Sequence, residues 1–164
     1  MMTNGCVRLD VTGARADVVL CRPEARNALN LPMCEDLIEA FSRIAAMPEL
    51  ALVVLRSEGP VFCAGADMKE RKGKDESWVK ARRRTSFRAY DTIGACGLPV
   101  IAQVQGALVG SGGEIAMSCD FIVASDAATF RFPEPQWGTV GATQRLQRVV
   151  GVARAKELLF TGRV

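Results

Sequence analysis

Histidine is absent from the 164 residues, so acid–base chemistry falls to carboxylates, Lys, Cys, Tyr90 or backbone amides. Ser-His-Asp and Cys-His nucleophile systems and His-liganded zinc are excluded with it. The richest candidate segment is Gly106-Ala107-Leu108-Val109-Gly110-Ser111-Gly112-Gly113-Glu114. Ile115 stands where a dinucleotide fingerprint asks for its last glycine, and no Gly-Lys-Ser/Thr follows to make a P-loop. A nucleophile elbow around Ser111 would need glycine at Val109. Two readings stay open. A glycine-rich turn that opens a helix presents unpaired N–H groups and can hold an anion or a developing oxyanion. Equally, the glycines can serve only to let a helix pack closely on a strand.

The elements that must position this turn follow from patterning. Val7–Val11 and Ala16–Cys21 predict a hairpin around Gly13. Asn30 caps a helix with Pro32 in its first turn and Leu37, Ile38, Phe41, Ile44 and Ala45 on one face. Leu50–Arg56 is short and almost wholly apolar, as in a strand covered on both faces. Asp75 to about Ala95 reads as a long basic helix anchored by Trp78, Phe87 and Ile93. Pro99–Val104, Phe121–Ala124 and Ala128–Phe132 read as strands, and Ser111–Cys119, Thr143–Val150 and Val152–Phe160 as helices. Short strands alternating with helices argue for an α/β domain.

The sequence is 49% hydrophobic and 24% charged, the balance of a globular chain with a real core. Its length fits one domain. No apolar run reaches the roughly 20 residues of a membrane helix, and the polar start lacks the apolar core of a signal peptide. The six cysteines form no C-x-x-C pair, which suits reduced thiols in a cytoplasmic protein. The net charge of +3 hides an uneven distribution, because Lys69–Arg88 holds nine basic and three acidic residues. Such a stretch is either a solvated helix face or a contact for phosphate groups.

A second turn, Phe62-Cys63-Ala64-Gly65-Ala66-Asp67-Met68, belongs with the glycine-rich segment and with Arg22-Pro23-Glu24-Ala25-Arg26-Asn27-Ala28-Leu29-Asn30. These three ordered motifs resemble the enoyl-CoA hydratase/isomerase (crotonase) superfamily over nearly the whole chain. The resemblance implies a spiral of repeated ββα units and assembly as a homotrimer or dimer of trimers. It also implies that residues 1–164 form the N-terminal spiral part of a crotonase-like domain, without its C-terminal trimerisation helices.

By the same resemblance, the backbone N–H groups of Ala66 and Ser111 bind the thioester oxygen of an acyl-CoA. Ala64, Ala66, Asp67, Met68, Lys69 and Ser111 would run along coenzyme A, with Arg26 near its nucleotide end. The phosphates of coenzyme A become a partner for the basic stretch, preferred to nucleic acid because no nucleic-acid motif accompanies the charge. Glu114 and Glu134 fall at the positions of the two glutamates of hydratases. Taken singly, each has a structural reading, Glu114 as a first-turn residue facing the helix dipole and Glu134 as a loop residue. Together with both donor motifs they favour proton transfer at an enolate. No metal or redox cofactor is implied; coenzyme A enters only as part of the substrate.

One departure stands out. Relatives carry G-x-x-P-x-x-G-G-T-Q-R-L after the second glutamate. Here Gly138-Thr139-Val140 runs straight into Gly141-Ala142-Thr143-Gln144-Arg145-Leu146, about three residues shorter. The expected activity is reversible hydration of a 2-enoyl-CoA. The alternatives are double-bond isomerisation, or acyl-CoA binding without turnover in a non-catalytic assembly subunit.

Overall fold

The computed structural model describes residues 2–164. β1 (Val7–Thr12) and β2 (Arg15–Leu20) form the hairpin, turning through Gly13 at φ 57°. α1 (Leu31–Ile44) starts at Asn30, whose side chain accepts from the Met33 N–H at 2.9 Å and so satisfies one orphan donor of the first turn. β3 (Leu52–Ser57) lies parallel to β2, and three consecutive residues, Val53, Val54 and Leu55, are buried, as its continuous apolar run requires. Then come α2 (Glu76–Gly94), β4 (Val100–Val104), β5 (Ala107–Val109), α3 (Ser111–Met117) and β6 (Phe121–Ala124). β7 (Thr129–Arg131), α4 (Arg145–Val150) and α5 (Val152–Thr161) follow.

The strands build a five-stranded sheet in the order β1-β2-β3-β4-β6 and a two-stranded sheet of β5 and β7. From β2 onward every pairing is parallel. The repeat is visible in this division. β4 joins the large sheet, β5 the small one, and α3 follows. β6, β7 and α4 repeat the same path. Between β3 and α2 the chain makes two isolated parallel bridges, Cys63 to Leu108 and Ala66 to Leu29, where a full strand would complete the unit. This is the ββα spiral that the resemblance implies. One hydrophobic cluster, from Met2 to Leu159, fills its interior.

α2 corrects the expected anchors. Ile93 is buried, but Trp78 is half-buried with Lys74 Nζ 5.4 Å from its ring centroid, and Phe87 is 39% exposed. The face turned inward is Arg82, Ser86, Ala89, Tyr90 and Ile93. Arg82 is therefore not on a solvated face. It is 4% exposed, with Glu70 at 2.5 Å, the Ser86 hydroxyl at 2.8 Å and the Leu29 carbonyl all accepting from its guanidinium. A buried cation needs such complete pairing. The segment read as a plain glycine turn contains β5, a three-residue strand too short to show a period-two pattern.

Candidate active site

The three sequence motifs meet through backbone hydrogen bonds. Leu29 N–H donates to the Gly65 carbonyl at 2.8 Å and Asp67 N–H to the Leu29 carbonyl at 2.9 Å, so Arg22–Asn30 is laced to the Ala64–Asp67 turn. Val109 N–H donates to the Cys63 carbonyl at 3.0 Å, joining that turn to β5 and the start of α3. Asn27, fully buried with φ 50°, clamps the arrangement: its side chain accepts from Arg22 N–H and donates to the Glu58 and Val61 carbonyls.

The glycines answer to both readings of their turn. A Cβ on Gly112 would lie 2.7 Å from the Cys63 carbonyl oxygen, and one on Gly113 would lie 2.4 Å from Phe132 Cε1, so these two permit close packing. Gly110, at φ 48° and ψ −107°, makes the turn into α3. The N–H groups of Ala66 and Ser111 donate to no partner among the described residues. Both residues line one cavity of about 300 Å³.

Glu114 and Glu134 line that same cavity, both 5% exposed, in opposite surroundings. Glu114 is held through both oxygens: the Ala142 N–H donates to Oε1, and Arg145 Nη1 donates to Oε2 at 2.9 Å. Arg145 itself reaches Asp91 at 2.8 Å and lies 5.7 Å from the Tyr90 ring. The short run after Gly138 makes this contact, and Ala142 takes the left-handed conformation, φ 56°, in doing so. Glu134 is the reverse. Both its oxygens are buried without a partner among the described residues. Burial first, then the charge of Glu114, pushes its carboxyl above the usual range. Tyr90, on the same wall, is pushed up by burial as well and stays a neutral phenol.

The other expected contacts are placed as follows. Met68 lines the cavity and is 60% exposed. Asp67 pairs with Arg22 at 3.1 Å, and its Oδ1 accepts from Lys69 N–H, so it orders its turn. Ala64 donates to the Arg26 carbonyl at 3.0 Å, and Arg26 and Lys69 are exposed outside the cavity wall. Arg145, Trp137 and Arg71, Arg82 and Arg83 also line or support the cavity without having been singled out individually from sequence. The Gln-Arg-Leu run was the available signal for Arg145. Among the described residues no group of three or more His, Cys, Asp or Glu is placed to hold a metal, and no helix is long and apolar enough to cross a membrane.

Solved structures share this fold. The enoyl-CoA hydratase from Bacillus anthracis superposes with a TM-score of 0.92 at 33% identity, over 96% of this chain and 63% of that one. The profile of the family described as enoyl-CoA hydratase/isomerase matches residues 12–164. The chain belongs to the enoyl-CoA hydratase/isomerase family, the crotonase superfamily. An enoyl-CoA isomerase/hydratase of Mycosarcoma maydis is 34% identical over 157 residues, spanning 88% of this chain and 57% of its own length. Enoyl-CoA hydratase domain-containing protein 2, mitochondrial, of Bos taurus is 39% identical over 153 residues, spanning 90% and 51%. The chain thus covers little more than half the length of these curated relatives.

Proposed function

We propose that residues 1–164 form a crotonase-like core domain that carries the acid–base centre of an enoyl-CoA hydratase, adding water reversibly to a 2-enoyl-CoA thioester. The observation that carries the reading is the unequal pair of buried glutamates in one cavity with two free backbone donors. The thioester oxygen lies between the N–H groups of Ala66 and Ser111, where negative charge develops as the enolate forms. One such donor contributes on the order of 100-fold or more in rate. Glu114 keeps two of its four lone-pair sites for a water, since a carboxylate accepts about four hydrogen bonds in all. It takes the water proton as the oxygen bonds to C3. Glu134, its carboxyl raised by burial, gives its proton to C2. Proton exchange between the two carboxyls and solvent restores the starting state, so no metal or redox group is needed.

The test is loss of 2-enoyl-CoA absorbance, with Glu114→Gln and Glu134→Gln each slowing turnover about 100-fold or more. Unchanged activity in both variants ends the assignment. One observation favours a second reading. Glu114 is engaged through both oxygens, leaving Glu134 as the unpartnered carboxylate, and a double-bond isomerase needs only one. Conversion of a 3-enoyl-CoA to its 2-enoyl isomer in the Glu114→Gln variant separates the two.

Two further expectations belong to the same proposal. Exposed Phe121 and Val123 on β6, with Val149, Val152 and Phe160 on α4 and α5, suit a homotrimer or dimer of trimers. Six free thiols, four of them buried, suit a reducing compartment, either the cytoplasm or the mitochondrion named for the cattle relative.

A further inference from the structure

Three guanidiniums line the same cavity as the two glutamates: Arg71, Arg82 and Arg83. Arg82 is fully engaged with Glu70, Ser86 and Leu29. The other two are not. Arg71 pairs with no carboxylate among the described residues, and its Nε is buried without a partner. Arg83 has one neutral contact, Nη2 to the Thr139 hydroxyl at 3.2 Å, on the loop that follows Glu134. The guanidinium of Arg71 is pushed below its usual value, by burial first and then by the charges of Arg82 and Arg83. Glu70 lies near enough to oppose that shift, but neither Arg71 nor Arg83 makes an ion pair among the described residues, and adjacent unpaired cations in one cavity form a site that lacks its anion.

We propose that Arg71 and Arg83 form an anion subsite for a carboxylate carried on the acyl group, making the substrate class an ω-carboxylated acyl-CoA rather than a plain fatty acyl-CoA. The inference rests on the acyl-CoA reading above and names the kind of acyl group. Position favours the acyl group over the phosphates of coenzyme A as the source of the anion. Arg83 reaches the 135–144 loop, which folds over Glu134 and supplies Trp137, Thr139 and Val140 to the wall, so it faces the reacting end of the cavity. The remaining walls, Phe87, Tyr90, Trp137 and Val140, offer a carboxylate no other unengaged cationic partner.

The experiment compares affinities by calorimetry for glutaryl-CoA against pentanoyl-CoA, adipyl-CoA against hexanoyl-CoA, and free coenzyme A. Wild type, Arg71→Gln, Arg83→Gln and the double variant are measured, with circular dichroism to confirm folding. A charge-assisted hydrogen bond contributes about 1.5–3 kcal/mol, so a dicarboxylate ester should bind about tenfold or more tighter than its neutral counterpart. The double variant should abolish that preference while leaving free coenzyme A and the neutral esters unchanged. Arg71→Lys and Arg83→Lys should restore part of it, a result that loss of packing would not produce. Equal affinity of dicarboxylate and neutral esters for wild type overturns the proposal. So does an equal loss for all ligands including free coenzyme A, which would assign the arginines to its phosphates. Binding needs no turnover, so a failure of hydration with the preference intact would refute the hydratase reading alone. If no coenzyme A ester binds at all, both fail together.

Discussion

Replacing Glu134 by Gln should stabilise the protein while disabling the chemistry. Both carboxyl oxygens are buried without partners, and positions 110 and 141 are glycine where an added Cβ would lie 3.2 Å from Oε1. Gln has the same shape and keeps this packing. Wild type has a carboxyl raised in the folded state, so the folded chain holds a proton that the unfolded chain releases. Stability therefore falls as pH rises through the ordinary Glu range near about 4.3 and is lowest above the folded-state value. Gln is neutral throughout. Gln leaves the same two atoms without partners, so the gain is the charge-dependent part alone, about 1.4 kcal/mol for each tenfold by which the fold disfavours the ionised carboxylate, and a chain of this size moves about 2–4 °C per kcal/mol. The variant should melt several degrees above wild type at pH 8, with the difference vanishing near pH 4. Thermal unfolding followed by circular dichroism across that range gives the answer. A gain that is the same at both ends of the pH range, or absent at pH 8, would refute the view that Glu134 pays a burial penalty.

Removing the cation beside Glu114, as in Arg145→Gln, leaves a nearly buried carboxylate with one backbone donor; it should cost about 3 kcal/mol, read as a lowered Tm, with Glu114→Gln in the same chain recovering part of the loss. Gly113→Ala drives a methyl group to within 2.4 Å of Phe132 and should destabilise by about 1–3 kcal/mol through overpacking, measured by urea unfolding. Asn30→Ala removes the cap of α1 and should cost about 1 kcal/mol, visible in the same titration.

What the residues disclosed in advance was local. The apolar run of β3, the Asn30 cap and the glycines before α3 are each fixed by neighbours within a few positions, and each is found where expected. The burial of Arg82 was not legible, because nothing in Lys69–Arg88 announces that Glu70, twelve positions away, and the Leu29 carbonyl, fifty-three away, will meet it. The same holds for β5 and β7, whose pairing is with each other across an intervening helix rather than with adjacent chain.

The shortened loop is the case where sequence and structure have to be read together. Counting residues shows only that about three are gone. The structure shows what the shorter path does: it brings Ala142, in a left-handed conformation that L side chains rarely adopt, to within reach of Glu114 Oε1, and begins α4 with Arg145 on Oε2. Such a conformation costs about 1–2 kcal/mol, and it persists because two hydrogen bonds to a buried carboxylate depend on it. The same segment leaves Glu134 unpartnered, sends Thr139 to Arg83 and closes the cavity with Trp137 and Val140. One stretch of chain thus sets the different surroundings of the two glutamates and ties the arginine pair to the reacting end. A loop exchange that restores the three missing residues should therefore alter the acid–base balance and the acyl preference together, whereas Arg71→Gln or Arg83→Gln should alter the acyl preference alone.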